Sequence, residues 1–201
     1  MTDAAAPAAK LPRQRGARRL QILQTLASML EDPKGEKVTT AALAARLEVS
    51  EAALYRHFAS KAQMFEGLIE FIETSVFGLI NEISVREPSG LRQVRATVLM
   101  LLEFAQTNRG MTRVLVGDAL VNEHERLQER MNQGFERIEA SLKQSYRVAV
   151  TAGELPTDFD VGARANLVMS YVLGRWLRFA KSGFKRLPQD GLEAQLPALL
   201  V

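Results

Sequence analysis

Residues 39–61 read TTAALAARLEVSEAALYRHFASK, and the reading of this stretch decides the rest. Val38 to Leu47 predicts a short helix with a threonine cap at Thr39 and a face of small residues, because a hydroxyl at the N-cap accepts an otherwise orphaned helix amide. Glu48-Val49 makes a turn. Ser50 caps a second short helix over Glu51–Phe58, and Ser60 caps a long one from Lys61 to about Arg86. Two short helices joined by a tight turn, with a third before them, form a helix-turn-helix over residues 39–58, whose second helix has the dimensions to enter a DNA major groove.

The apolar residues Leu43, Leu47, Val49, Leu54 and Phe58 are expected to lock these helices together. That leaves Thr39, Thr40, Ser50, Ala53, Tyr55, Arg56 and His57 on outer faces as candidate DNA contacts. Small side chains at Ala52 and Ala53 allow the backbone to approach base edges. The Tyr55 hydroxyl suits a phosphate, as does Lys61 beside the amide-rich start of its helix. A helix corner in any all-α protein shows part of this pattern, and a histidine such as His57 is commonly a surface or packing residue. His57 is a contact candidate through its neighbours alone.

Working outward, the upstream helix is expected over about Gly16–Leu30, with Leu23, Leu26, Ala27 and Leu30 at helical spacing. Asp32-Pro33-Lys34-Gly35 then breaks the pattern. Downstream, Glu87-Pro88-Ser89-Gly90 separates the long helix from one over Leu91–Thr107. A short helix is expected over Met111–Val116 and a long one from Asp118 to about Val150. In the latter, Leu127, Met131, Phe135, Ile138 and Leu142 alternate three and four apart, as in a coiled coil. A helix over Phe159–Lys181 and a short one after Pro188 complete the chain. No segment reads as a strand, so the fold class is all-α. The expected organisation is an arm over residues 1–12, a DNA-binding domain over 13–64 and a helical domain over 65–201.

Charge is unevenly distributed over the 201 residues: the first 66 carry ten Lys/Arg against seven Asp/Glu, and the remainder carry sixteen of each. From Ala4 to Leu30 there is no acid, while Lys10, Arg13, Arg15, Arg18 and Arg19 accumulate. A basic arm leading into a folded unit is a footprint of phosphate binding, with Arg18 a candidate contact. It is equally the composition of a solvated, disordered tail. With no cysteine, disulfides, thiolate metal sites and cysteine nucleophiles are excluded. Two separated histidines, no phosphate-binding glycine loop and no metal-ligand cluster propose no reaction, so neither an enzyme nor a cofactor is expected. The acids Glu123 and Glu125 read as a solvated helix face. No apolar run is long enough to span a bilayer, and the N-terminus lacks the apolar centre of an export signal, so a cytoplasmic protein with no membrane partner is expected.

The stretch Thr39–Lys61, with Leu54-Tyr55-Arg56-His57-Phe58 and Ser60-Lys61, resembles the N-terminal domain of the TetR family, whose pattern is an apolar residue, Tyr, two variable residues and Phe, then Ser-Lys opening the fourth helix. Glu48 departs from it, standing where the family usually has glycine. The resemblance implies a two-fold dimer reading a palindromic duplex. It narrows to a division-regulating branch of the family through Ser50–Phe58, Met64-Phe65, Leu68–Glu73, Thr112–Leu115 and Phe135–Ala140, covering about residues 17–143. That branch implies nucleoid occlusion: a nucleoid-associated protein that, when DNA-bound, antagonises polymers of the tubulin-like division protein FtsZ. It also implies partner contacts at positions matched by Phe71 and Asn108. Where the branch has basic residues at 79 and 107 and glycine at 103, this chain has Leu79, Thr107 and Glu103.

Along the fourth helix Phe65, Leu68, Ile69, Ile72, Val76, Leu79, Ile80 and Ile83 form an apolar stripe, read as core, with Met64, Phe71 and Phe77 to either side. Aromatics off a buried stripe suit either a partner groove or a neighbouring helix. In the last long helix Val168, Val172, Trp176 and Phe179 form a stripe that Tyr171 and Leu173 widen, with Gly162, Ala163 and Gly174 permitting close approach. The homodimer contact is expected there, the alternative being an ordinary core. A second functional reading, a repressor released by a small ligand, would place Asn122, His124 and Asn166 around a pocket.

Overall fold

In the computed structural model, which describes residues 13–32 and 38–201, all regular structure is helical. The helices are α1 (Arg13–Leu30), α2 (Thr40–Arg46), α3 (Glu51–Tyr55), α4 (Lys61–Arg86), α5 (Gly90–Thr107), α6 (Arg109–Leu115), α7 (Glu125–Thr151), α8 (Val161–Lys181) and α9 (Leu192–Leu200). The expected arm over residues 1–12, with Lys10, lies outside the described residues, as does most of the break after Asp32.

Local chemistry explains the helix starts. Thr39, Ser50, Ser60 and Ser89 each turn a side-chain oxygen onto an amide in the first turn of α2, α3, α4 and α5. Asp160 does the same for α8, accepting from the amides of Gly162 and Ala163. The predicted helix over 118–150 is interrupted. A short 3-10 turn covers Asp118–Leu120, Asn122 adopts a left-handed φ of 63°, and α7 starts only after His124, whose ring nitrogen accepts from the Arg126 amide. Asn tolerates that conformation because its short polar side chain bonds locally.

The small head is α1–α3 and the start of α4. Ile22, Leu26, Leu43, Leu54, Phe58 and Phe65 are buried there, while Leu47 and Val49 are half-buried at its edge. The body is built on α7, which packs against α4, α5 and α8. Of its predicted stripe, Leu127, Met131, Ile138 and Leu142 are buried, and Phe135 sits 6.3 Å from the Trp176 ring. Two glycines permit close contacts. A Cβ on Gly90 would lie 2.3 Å from Ser145 O and Ala149 N of α7, and one on Gly110 would lie 1.9 Å from Ala27 O at the end of α1. Glu154, after α7, accepts from Ser89 Oγ (2.7 Å), Gly90 N (3.0 Å) and Leu91 N (3.1 Å), closing the start of α5. Burial pushes this carboxyl's pKa up, but those hydrogen bonds and the charge of Arg92 prevail and hold it below its ordinary value. Tyr146 ties the chain end to the body, donating to Leu200 O at 3.2 Å, and burial pushes its phenol up to about 12.

The assignment of α8 needs correction. Val168, Val172, Trp176 and Phe179 have no exposed surface in the single chain, and Trp176 Nε1 donates to Leu101 O at 3.0 Å. They form the subunit's own core and cannot touch a second copy. On the opposite side of α8, at spacings of three and four residues, Ala163, Leu167, Ser170, Gly174 and Leu177 are exposed. The α4 stripe is also shorter than expected. It is buried through Val76, but Leu79 is 39% exposed and Ile80 and Ile83 are only half-buried. Met64 is fully buried instead of lying off the core, and the Arg137 guanidinium covers the Phe77 ring at 3.9 Å. Phe71 alone of the three stays open, at 42%.

Candidate DNA interface

The turn between α2 and α3 sets the angle of the candidate recognition helix. Glu48 has φ 55°, its amide bonds Ala45 O, and the Val49 amide bonds Ala44 O. This is a Schellman closure of α2 with glutamate at the position that favours glycine, so the turn carries backbone strain. Ser50 then extends the chain and starts α3. Across the turn, Thr40 Oγ1 donates to Glu51 Oε2 at 2.6 Å, tying the first residue of α3 to the first of α2.

From behind, Arg19 of α1 stacks its guanidinium 4.1 Å from the Phe58 ring centre and donates to His57 O at the end of α3. A cation at a helix carboxyl end satisfies carbonyls that have no partner in the helix. Arg19 and Glu51 were not among the sequence candidates. Their roles depend on contacts 38 and 11 residues away, and the basic run around Arg19 pointed to phosphate binding or a solvated tail rather than to this contact.

Of the candidate contacts, Thr39, Ser50, Tyr55 and Arg56 are exposed, and Thr40, Ala53 and His57 are half-buried. Tyr55 is 44% exposed despite its size. Thr39 and Ser50 have their hydroxyls engaged as caps, and Thr40 is held by Glu51. Arg18 is half-buried and donates to Gln21 Oε1 at 2.6 Å along its own helix. Lys61 is turned toward the body: its ammonium lies 2.5 Å from Glu123 Oε1, with the two side chains only 21% and 11% exposed. Glu123 is therefore no solvated helix residue. It sits in the loop before α7 and holds the head's fourth helix.

Three further contacts continue this seam between α4 and α7. They are Glu66 with Arg126 at 2.6 Å, Glu73 with Arg130 at 2.6 Å, and Phe77 under Arg137. At the junction of head and body, Lys61, Phe65, Asp118, Asn122 and Glu123 border an open cleft of about 370 Å³. The three residues of the ligand-pocket reading do not meet there. Asn122 borders the cleft, His124 caps α7, and Asn166 donates to Glu139 Oε2 at 3.2 Å. Asn108 joins α5 to α6, with its amide donating to Phe104 O at 2.8 Å. Phe71 stands on the outer side of α4. No group of His, Asp and Glu among the described residues could hold a metal ion, and no helix there is long and apolar enough to cross a membrane.

A three-helix head with an exposed α3, on a helical body, is the architecture of bacterial one-component DNA-binding regulators. Residues 35–68 match the model for bacterial regulatory proteins of the tetR family, and residues 89–200 match that of the SlmA-like, tetracyclin repressor-like C-terminal domain. The chain belongs to the TetR family, in the branch with that SlmA-like C-terminal domain, and with it come DNA binding, dimerisation and a binding role in place of an enzymatic one. It is 50% identical over 182 residues to the nucleoid occlusion factor SlmA of Idiomarina loihiensis, covering 90% of this chain and 93% of that protein. With the protein of the same name from Vibrio cholerae it shares 49% over 172 residues, covering 85% and 88%. Among solved structures, the regulator FadR of Bacillus subtilis in complex with stearoyl-CoA superposes with a TM-score of 0.73 at 11% identity, over 90% of this chain and 97% of that one. A TetR-like regulator of Rhodococcus gives 0.73 at 18%, over 95% and 96%. At such identities these two structures support the fold alone.

Proposed function

We propose that the protein is a nucleoid occlusion factor: a homodimer that binds palindromic duplex DNA on the chromosome and, when DNA-bound, antagonises FtsZ polymerisation and Z-ring assembly. The observation that carries this reading is its identity of about half with nucleoid occlusion factors over nine-tenths of the chain. Each α3 would enter a major groove, the two helices about 34 Å apart. Ala53 and Arg56 would face base edges, with Thr39, Thr40, Ser50, Tyr55 and His57 around them and Arg18 on the flanking backbone. Lys61 would reach a phosphate by leaving Glu123. The exposed face of α8 around Gly174 would meet its copy.

Phe71 would contact FtsZ directly, with Asn108 holding the α5–α6 corner. Exposed Leu79, Glu103 and Thr107 change the chemistry of that face from the basic pattern of the branch toward an apolar and acidic one. The test is FtsZ sedimentation with GTP, adding the protein with a selected palindromic duplex, with random duplex, or without DNA. The palindrome should disperse polymers far more than the other two, and equal action without DNA would refute the reading. Phe71→Ala should keep duplex affinity while losing the effect on FtsZ. The ligand-released repressor remains the second reading, and a metabolite that lowers operator affinity would favour it.

A further inference from the structure

Residues 175–186, RWLRFAKSGFKR, carry five cations and no acid, a local excess invisible in the neutral balance of the C-terminal two-thirds. The structure gathers them at the carboxyl end of α8 and in the loop that follows. Two are already engaged. Lys181 Nζ lies 2.6 Å from Asp118 Oδ1, and Arg175 donates to Pro188 O at 2.7 Å and to Asp190 O, which fixes its guanidinium against the loop. Arg178, Lys185 and Arg186 are exposed, and no carboxylate pairs with them among the described residues. Asp190, the acid beside them, has its carboxylate on the Leu187 amide at 3.1 Å. Arg175, Arg178 and Arg186 border one hollow of about 270 Å³, with Leu187 and Asp190 completing its wall, so three cations face one acid in a space large enough for a phosphate group.

The place of this hollow in the molecule says which polyanion it meets. The amino end of α8 lies beside the chain terminus, where Arg164 donates to Ala198 O and Leu199 O. Its carboxyl end lies beside the turn at Asp118 and beside α6, with Arg109 5.9 Å from the Phe184 ring centre. Helix α6 in turn rests on α1, Gly110 against Ala27. The arginines therefore stand at the end of the body that adjoins the DNA-binding head, at the foot of the outward face of α8.

We propose that this arginine-lined hollow is a second phosphate-binding surface, which holds the sugar–phosphate backbone of the duplex whose grooves the two heads read. The proposal rests on the DNA-binding reading of the head. Arginine suits the task because its planar fork pairs two donors with one phosphate, and two free guanidiniums beside a fixed third offer several such geometries. Contacts of this kind add affinity without sequence preference.

The test uses the full-length dimer and fluorescent duplexes, one a selected palindrome and one random, titrated from 50 to 250 mM salt. Lys185→Glu/Arg186→Glu changes loop residues beyond α8 and leaves the dimer face untouched, and Arg178→Glu is the second variant. If each altered cation of the double variant meets a phosphate, four contacts per dimer vanish and the slope of log K against log salt becomes shallower by up to about 3.6. Both duplexes should weaken by the same factor, leaving their affinity ratio unchanged. Tyr55→Ala serves as the head control. If it weakens binding to the palindrome while the loop and α8 variants leave both slopes unchanged, the second surface is refuted and the head reading stands. If Tyr55→Ala has no effect either, the head reading itself fails. Loss of binding to vesicles of acidic phospholipid, with duplex binding intact in the loop variant, would assign the hollow to a membrane and overturn the proposal.

Discussion

Glu123→Gln removes the charge that holds Lys61 against the body while keeping the size of the side chain. Both partners are more than three-quarters buried and meet at 2.5 Å, so Lys61 must give up this contact before it can reach a phosphate. A hydrogen bond between charged groups contributes roughly 1.5–3 kcal/mol. The freed carboxylate and the moving ammonium both regain water at the mouth of the cleft, which reduces the net cost to about 1 kcal/mol per protomer. A dimer makes the exchange twice, for about 2 kcal/mol, and the variant should bind the palindrome roughly 30-fold tighter. Fluorescence anisotropy at fixed salt measures this directly. Lys61→Ala placed on top of Glu123→Gln should erase the gain, since the cycle isolates the pair. Unchanged or weaker binding by Glu123→Gln would refute the exchange and leave Lys61 a strut between head and body.

Glu48→Gly should stabilise the head. It relieves a left-handed conformation costing about 1–2 kcal/mol, less the roughly 0.5–1 kcal/mol that glycine loses in backbone freedom. The melting temperature should rise by about 2–4 °C by calorimetry, and a fall would show that the Glu48 side chain has a stabilising partner. The Glu154 carboxyl has a lowered pKa in the fold, so the stability it contributes is present above its unfolded value near 4.5 and is lost as pH falls through the lower, folded one. Urea melts of Glu154→Gln should accordingly show a lower plateau at neutral pH and a weaker decline below pH 4.5 than the parent, and parallel declines would contradict this. A Cβ at Gly174 meets nothing within 4 Å in the single chain, so Gly174→Glu should keep its helical circular dichroism yet sediment as a monomer. A dimeric mass would move the contact off this face of α8.

What was legible in the sequence was what depends on neighbours in the chain. Thr39, Ser50, Ser60 and Ser89 announce their helices because a cap acts on amides two or three residues on. The interruption at residues 121–124 was not visible, because the apolar spacing that defines α7 can be extended backward without a proline or glycine to stop it before Gly117. The stripe of α8 was visible but ambiguous, since a subunit core and a dimer contact both demand buried apolar residues at helical spacing. Trp176 turned out to serve the first, and the face proposed for the second includes Ala163, Ser170 and Gly174, whose small side chains give little hydrophobic signal. The candidate DNA face was readable from Tyr55 and its neighbours. The groups that orient it were not, because Arg19 with His57 and Lys61 with Glu123 meet across 38 and 62 residues.

The contacts between α4 and α7 give these distant pairs a common consequence. Along α4 they fall at Lys61, Glu66, Glu73 and Phe77, and along the α7 side at Glu123, Arg126, Arg130 and Arg137, in the same order. The two helices therefore run side by side in one direction, joined at intervals of about one to two turns. The exposed members, such as Arg126, are individually weak and screened by salt. They reinforce the half of α4 that is already buried; beyond Val76 a single rung, Phe77 under Arg137, remains, and α5 supports the helix there through Gln93, whose amide donates to Ser84 O. Helix α4 belongs to the head at Phe65 and to the body at Ile72, while α7 packs on the α8 whose outer face is open to a second copy. Loosening the topmost rung, Lys61 with Glu123, would act at the place where the head, the body and the loop before α7 converge. Occupancy of the α3 face and the posture of Phe71 would then be two readings of one helix, which would give the proposed DNA-dependent action on a partner a path through α4.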